Sequence, residues 1–231
     1  LVCHYCSRRI GLPGLCPSCR GACIKLSGLG TQKVESELHR FFPSARISRM
    51  DTDATSQKGS HERILEEFKN GSIDLLVGTQ MIAKGLDFPR VTLVGIVSAD
   101  TSLNLPDFRA SERTFDLLTQ VAGRAGRGHE PSEVIIQTYA PSHYSIVSAA
   151  KHDYEAFYEK ELAARGAMGF PPFNRLIKFT FRSANQERAK AAAQDFAGRL
   201  KALKGAKVLG PAPSFIVRVR GRYRWNVFFK F

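Results

Sequence analysis

Three short apolar runs constrain this chain most: Ile73-Asp-Leu-Leu-Val77, Val91-Thr-Leu-Val-Gly-Ile-Val97 and Val134-Ile-Ile-Gln-Thr138. Each has strand length and few polar residues, the pattern of a strand buried on both faces. A fourth run, Arg46-Ile-Ser-Arg-Met-Asp51, reads as a short strand ending in an acid. Helical spacing fills the gaps. Thr31 is positioned to cap a helix carrying Val34, Leu38 and Phe41. Ser60 opens a second helix, with Ile64, Leu65 and Phe68 inward and Gly71 as its stop. Arg109 to Gln120 forms a third, with Phe115 and Leu118 on one side. Strand and helix in alternation predict an α/β unit over residues 25–141, a parallel sheet with helices on both faces. Ligands of such sheets sit at the carboxyl ends of the strands. Thr79 to Asp87 and Asp100 fall there.

The third helix delivers Gln120-Val-Ala-Gly-Arg-Ala-Gly-Arg127. Arg124 and Arg127 each follow a glycine that lets backbone approach a ligand closely. A guanidinium grips phosphate with two parallel hydrogen bonds. Gln120, one turn earlier, can orient a water or a phosphate oxygen. Arginine and glycine after a helix also occur as a plain basic helix end. The full Gln-x-x-Gly-Arg-x-Gly-Arg spacing favours arginine fingers that meet charge on a transferring phosphoryl group. Gly28-Leu-Gly-Thr31 leads into a helix N-terminus, an arrangement that binds anions but is common.

Residues 1–24 carry all five cysteines. Cys3-x-x-Cys6 and Cys16-x-x-Cys19 are two knuckles separated by nine residues. Two such pairs supply four thiolates for a tetrahedral zinc, and a metal replaces the core that this Gly- and Pro-rich segment lacks. A redox pair is the alternative. Cys23 is read as a small buried apolar residue.

Residues 142–170 read as a helical linker, with Tyr154, Phe157, Tyr158 and Leu162 making an apolar side. Gly169-Phe-Pro-Pro-Phe173 ends it. Residues 171–231 form a small α+β domain. Leu176 to Arg182 alternates as a strand, Glu187 to Lys204 is a helix with Ala189, Ala193, Phe196, Leu200 and Leu203 inward, and strands follow at Phe215–Val219 and Trp225–Phe231. Charge singles this domain out. Of the net charge of +13, residues 171–231 hold 14 Lys and Arg against 2 Asp and Glu, whereas residues 1–170 hold 20 against 19. Arg218, Arg220, Arg222 and Arg224 interleave with Val219, Gly221 and Tyr223. Basic side chains mixed with aromatics suit single-stranded DNA or an acidic peptide, and an edge hairpin kept soluble by charge is the plainer alternative.

Other chemistry is missing. There is no Gly-x-x-x-x-Gly-Lys-Ser/Thr phosphate loop and no Asp-Glu-x-His magnesium site. The arginines are therefore expected to complete an ATP site whose other half lies elsewhere. No apolar run approaches the roughly 18 residues of a membrane span, so no membrane partner and a cytoplasmic location are expected. The chain starts at Leu1 without Met or a signal peptide, which reads as a piece of a longer protein.

Together these residues resemble the second, RecA-like lobe of superfamily 2 helicases, and more narrowly the PriA (primosomal protein N′) family of bacterial replication-restart helicases. The resemblance runs through Cys3-His-Tyr-Cys6, Cys16-Pro-Ser-Cys19, Gly78-Thr-Gln-Met-Ile-Ala-Lys-Gly-Leu-Asp-Phe-Pro89, Pro106-Asp-Phe-Arg-Ala-Ser-Glu-Arg113, Gln120 to Arg127, Phe170-Pro-Pro-Phe173 and Gly221-Arg-Tyr-Arg-Trp225. It implies the C-terminal part of an ATP-dependent 3′→5′ DNA helicase acting in primosome assembly and fork restart, inactive without its first lobe. A non-motor zinc- and DNA-binding loader scaffold is the alternative. The resemblance implies Arg124, Arg127 and Gln120 as catalytic and Gly85 and Asp87 as nucleotide-binding residues. DNA contacts would come from Gly30, Thr31, Thr79, Gln80, Arg218, Arg220 and Arg224. Arg222, Trp225 and Asn226 would hold the C-terminal tail of single-stranded DNA-binding protein. The implied cofactors are ATP with Mg²⁺ and two Zn²⁺ ions in the full-length protein, Cys3 and Cys6 serving one ion and Cys16 and Cys19 the other. Implied partners are forked and single-stranded DNA and other primosome proteins.

Overall fold

The computed structural model describes residues 14–15, 20–21, 30–51, 59–79, 82, 88, 90–123, 132–202 and 207–231. They fall into two compact units, one of residues 25–103 and 111–157, the other including residues 104–110 and 158–231.

In the first unit, helix α1 (Thr31–Phe41) leads to strand β1 (Ile47–Met50), helix α2 (Ser60–Lys69) and strand β2 (Leu75–Gly78). β1 and β2 pair in parallel, Met50 opposite Gly78. Met50, Ile64 and Ile73 form the core beneath, with Leu65, Phe68 and Leu76 packed on it. Strand β3 (Leu93–Ile96), the short helix α3 (Asp100–Leu103), helix α4 (Ala110–Ala122), strand β4 (Glu133–Ile136) and helix α5 (Tyr144–Ala150) follow. β3 and β4 are also parallel, Leu93 opposite Glu133. Their inner face meets a core of Ala99, Phe115, Leu118, Ile146, Ala149 and Phe157. Phe115 and Phe157 stack with centroids 4.2 Å apart.

Several expectations need correction. Among the described residues the strands form two separate parallel pairs rather than one sheet. The outer face of β3–β4 is open, with Leu93 57 % and Ile135 51 % exposed. Their apolar sequence reflects burial on one face only. Thr31 does not cap α1. Gly30 does so from extended backbone, without a side-chain bond, and the Thr31 hydroxyl is taken by Asp51. Phe41 points outward under the guanidinium of Arg40, 4.8 Å from the ring centroid. Helix α6 (Tyr154–Met168) buries Phe157 but exposes Tyr154 and Tyr158, so its aromatics do not share one apolar side.

In the second unit, strands β5 (Leu176–Ser183), β6 (Lys207–Val219) and β7 (Arg222–Lys230) make an antiparallel sheet in the order β5-β7-β6, with helix α7 (Gln186–Lys201) across one face. Asn185 caps α7 by accepting the Arg188 N–H at 3.1 Å. Ala189, Ala193 and Ala197 recur every four residues, and their small side chains let α7 lie close against Trp225 and Val227. Phe179 and Phe181 flank Phe196 at 4.7 and 5.3 Å. Both late strands are longer than the sequence suggested. β6 begins at Lys207 and runs through Pro211 and Pro213, which is tolerated because β6 is an edge strand with two register shifts.

Candidate nucleic-acid interface

Two surfaces carry the predicted residues, one in each unit. The first lies at the carboxyl ends of β1 and β2. Met50 and Gly78 end the two strands side by side, and a Cβ on Gly78 would come 2.5 Å from the Met50 carbonyl oxygen. Only glycine permits that approach. Thr79 follows directly and is exposed. Asp51, next after Met50, is 7 % exposed and accepts the Thr31 hydroxyl at 2.5 Å. Gly30 and Thr31 are thereby tied to the strand edge that carries Thr79. Arg49, one strand step back, lies between two carboxylates, with Nε 3.4 Å from Glu35 of α1 and 3.5 Å from Asp51. Its Nη1 is buried without an acceptor. Sequence reasoning misses Arg49, because an arginine in a short strand gives no signal until its partners on α1 are known.

Other parts of this unit hold further predicted residues. α4 turns Phe115 and Leu118 into the core and leaves Gln120 and Gly123 exposed at its C-terminal end. Asp100 follows β3 and accepts the Thr138 hydroxyl at 3.1 Å and the Tyr139 N–H at 3.1 Å. It ties the end of β3 to the end of β4. Gln80, Gly85, Asp87, Arg124, Arg127 and the four knuckle cysteines Cys3, Cys6, Cys16 and Cys19 lie outside the described residues. Among the described residues no group of His, Cys, Asp or Glu is arranged to hold a metal, and no helix is long and apolar enough to cross a membrane.

The second surface is the β6–β7 hairpin. Val219 pairs with Arg222, so the loop is two residues, Arg220 and Gly221, at φ 48° and 75°. Two left-handed residues make the turn that follows strand twist, and glycine at the second position removes the Cβ cost. The hairpin carries Arg218, Arg220 and Arg222 exposed. The Arg218 guanidinium lies 5.0 Å from the Tyr223 ring centroid. Arg224 is half-buried, and its Nε lacks an acceptor. Trp225 is 8 % exposed and packs under α7, its indole N–H unpartnered. Asn226 is 3 % exposed, and its Oδ1 accepts the hydroxyls of Thr180 at 3.0 Å and Ser214 at 2.9 Å. Of the residues expected to meet a partner tail, Arg222 is therefore on the surface while Trp225 and Asn226 build the sheet beneath it. At the far end of β7, Lys230 is buried, donates to the Met168 carbonyl at 2.6 Å and sits 4.1 Å from the Phe170 ring centroid. Burial, then the neighbouring Lys207, pushes its ammonium below the ordinary lysine range.

Comparison with known proteins covers both surfaces. Residues 29–129 match the helicase conserved C-terminal domain, and residues 166–231 match the primosomal protein N C-terminal domain. The replication restart protein PriA of Bacillus subtilis is 52 % identical over the whole chain, which covers 29 % of that relative. PriA of Treponema pallidum is 48 % identical over 98 % of the chain and 35 % of its own length. PriA of Haemophilus influenzae is 40 % identical over 98 % of the chain and 31 % of its own. The chain thus spans about a third of the length of these relatives. With helicase and primosomal domains in succession and close relatives along its whole length, the chain belongs to the PriA family of replication restart proteins.

Proposed function

We propose that this chain is the second motor lobe and C-terminal domain of an ATP-dependent 3′→5′ DNA helicase that restarts stalled replication forks and assembles the primosome. Arg124 and Arg127 act as fingers toward a triphosphate held by a first lobe, with Gln120 orienting water. Gly85 and Asp87 link nucleotide to DNA. Gly30, Thr31, Thr79 and Gln80 follow DNA phosphates, and the hairpin arginines Arg218, Arg220 and Arg224 hold single-stranded or forked DNA. Arg222 takes the terminal carboxylate of an acidic tail of single-stranded DNA-binding protein, with Trp225 and Asn226 fixing its strand. Cys3, Cys6, Cys16 and Cys19 hold zinc, which orders their segment in place of a core.

One observation carries the motor reading. α4 buries its Phe115 and Leu118 face and ends with Gln120 and Gly123 exposed, where the chain enters Gly-Arg-Ala-Gly-Arg. The exposed helix end supports the reading that the Gln-x-x-Gly-Arg-x-Gly-Arg spacing beginning there serves a ligand. The test is Arg127→Ala in the full-length protein. DNA-stimulated ATP turnover is expected to fall by about a thousandfold or more, the scale of an arginine finger, while DNA affinity stays near wild type. Unchanged turnover removes the finger role. The 231-residue chain alone is expected to show no magnesium-dependent ATP hydrolysis.

A further inference from the structure

Two sequence motifs lie outside the proposed machinery, Pro106-Asp-Phe-Arg-Ala-Ser-Glu-Arg113 and Phe170-Pro-Pro-Phe173. Their phenylalanines meet inside the second unit. The rings of Phe108 and Phe170 stack with centroids 5.2 Å apart and planes 14° from parallel. The Arg165 guanidinium of α6 lies 5.2 Å from the Phe108 ring centroid, and its Nε is held by Glu161 at 2.7 Å. Lys230 lies 4.1 Å from the Phe170 ring centroid. Cations beside aromatic rings add to the attraction of the stacked pair. β7 runs from the exposed Arg222 of the hairpin to Lys230, so one strand links the basic surface to the ring pair.

Phe108 stands two residues before Ala110, where α4 begins. The Asp107 carbonyl accepts the Ala110 N–H at 3.0 Å, and its carboxylate accepts the Arg109 N–H at 3.1 Å. The ring is therefore tied to the helix start with little slack. Residues 104–110 belong to the second unit, while α4 continues in the first, where Phe115 and Leu118 enter the core. The far end of α4 leads into Gln-x-x-Gly-Arg-x-Gly-Arg. A rigid helix held at its first residue carries coupling to its last.

We infer that Phe108 is a positioning residue: stacked on Phe170, it couples DNA held by the second unit to the placement of α4, and through α4 to the arginine motif that completes ATP turnover. The inference rests on the proposed finger role of Arg127 and on the proposed DNA contacts of the hairpin.

The test compares full-length wild type with Phe108→Leu, Phe170→Leu and the double variant, in ATP turnover with and without saturating single-stranded oligonucleotide. Each single variant is expected to lower DNA-stimulated kcat by about tenfold, a usual size for coupling between sites. KM for ATP, turnover without DNA and oligonucleotide affinity are expected to stay within about twofold of wild type, since a finger acts in the transition state. The double variant is expected to be no slower than the slower single one, and Phe108→Tyr, which keeps the ring, to retain the stimulation. Equal losses with and without DNA overturn the inference, because the rings then serve folding alone. Unchanged stimulation overturns it too, as do losses that multiply in the double variant. Should the leucine variants melt well below wild type, Phe108→Met fills the same space without a stacking face and is read in the same way. Arg127→Ala in the same assays separates failure of the underlying reading. If it leaves turnover unchanged, the finger role fails and the inference with it. If it abolishes turnover while Phe108→Leu stays fully stimulated, the finger stands and the positioning role alone is refuted.

Discussion

Single residues decide whether the β1–β2 edge can form. At Gly78 any side chain would collide with the Met50 carbonyl at 2.5 Å and with Ile82 at 3.0 Å. Gly78→Ala is expected to destabilise the first unit by roughly 1–3 kcal/mol, the usual cost of forced overpacking, read as a lower melting temperature. The sequence began the ligand loop at Thr79, and the carbonyl that Gly78 must clear belongs to Met50, 28 residues earlier, so its strict requirement became visible only with the register. Asp74 is a surface counterpart. Arg46 donates to it from Nη2 at 2.6 Å, from Nε at 3.0 Å and from its backbone N–H at 2.8 Å. The guanidinium hydrogen bonds, then the backbone one, hold the carboxyl down at about 2 against an ordinary 3.8. Between those values the unfolded chain binds the proton more readily than the folded one, so stability rises with pH across the window. The contribution is full above about pH 4 and is lost as pH falls toward 2. In melts from about pH 5 to 2, the advantage of wild type over Asp74→Asn is expected to shrink toward pH 2. Because the pair is exposed, it should also shrink in high salt.

At the level of elements, the arginine hairpin and α7 show opposite degrees of legibility. The inward row of α7 was readable in part: Ala189 and Ala193 were expected there from helical spacing, and the structure adds Ala197 to the same buried row. Ala193 is fully buried against the sheet. Ala193→Leu is expected to cost about 1–3 kcal/mol by pushing α7 off Trp225 and Val227, measured by denaturant unfolding. The hairpin was less readable. The sequence placed its strands only at Phe215–Val219 and Trp225–Phe231, with the arginines between them and an edge hairpin as the plainer alternative. The extended edge strand tolerates the prolines, and the arginines lie on paired strands closed by Arg220 and Gly221. Arg220 bears a steric cost at positive φ that asparagine carries more easily. Arg220→Asn is expected to stabilise the hairpin by about 0.5 kcal/mol. It should weaken DNA binding at low salt, because a cation is removed. A gain in melting temperature with a loss in affinity marks Arg220 as a residue kept for its charge.

For the whole molecule, charge and core are divided between the parts of the chain. Residues 171–231 hold nearly all the excess of positive charge, while the core of Ala99, Phe115, Leu118, Ile146, Ala149 and Phe157 lies in a part that is almost neutral. DNA affinity of the chain is therefore expected to fall steeply with salt. Replacing Arg218, Arg220 and Arg224 with Gln is expected to reduce the slope of log affinity against log salt by about 2, near 0.7 for each single-strand phosphate no longer neutralised. Fluorescence anisotropy at several salt concentrations reads this directly. A flat response in wild type assigns the hairpin to a protein partner instead.

The sequence by itself determined what depends on neighbours along the chain. Helices came from apolar spacing, strands from apolar runs, the basic surface from composition, and the helicase family from motifs whose spacing is local. Only the tertiary structure decided what depends on residues far apart in the chain. It gave the Thr31 hydroxyl to Asp51, seated Arg49 between Glu35 and Asp51, and sank Trp225 and Asn226 beneath the arginines they adjoin. The physical reason is that a side chain's direction and its hydrogen-bond partner are set by strand register and helix packing. Neither is written in the residue's own neighbourhood.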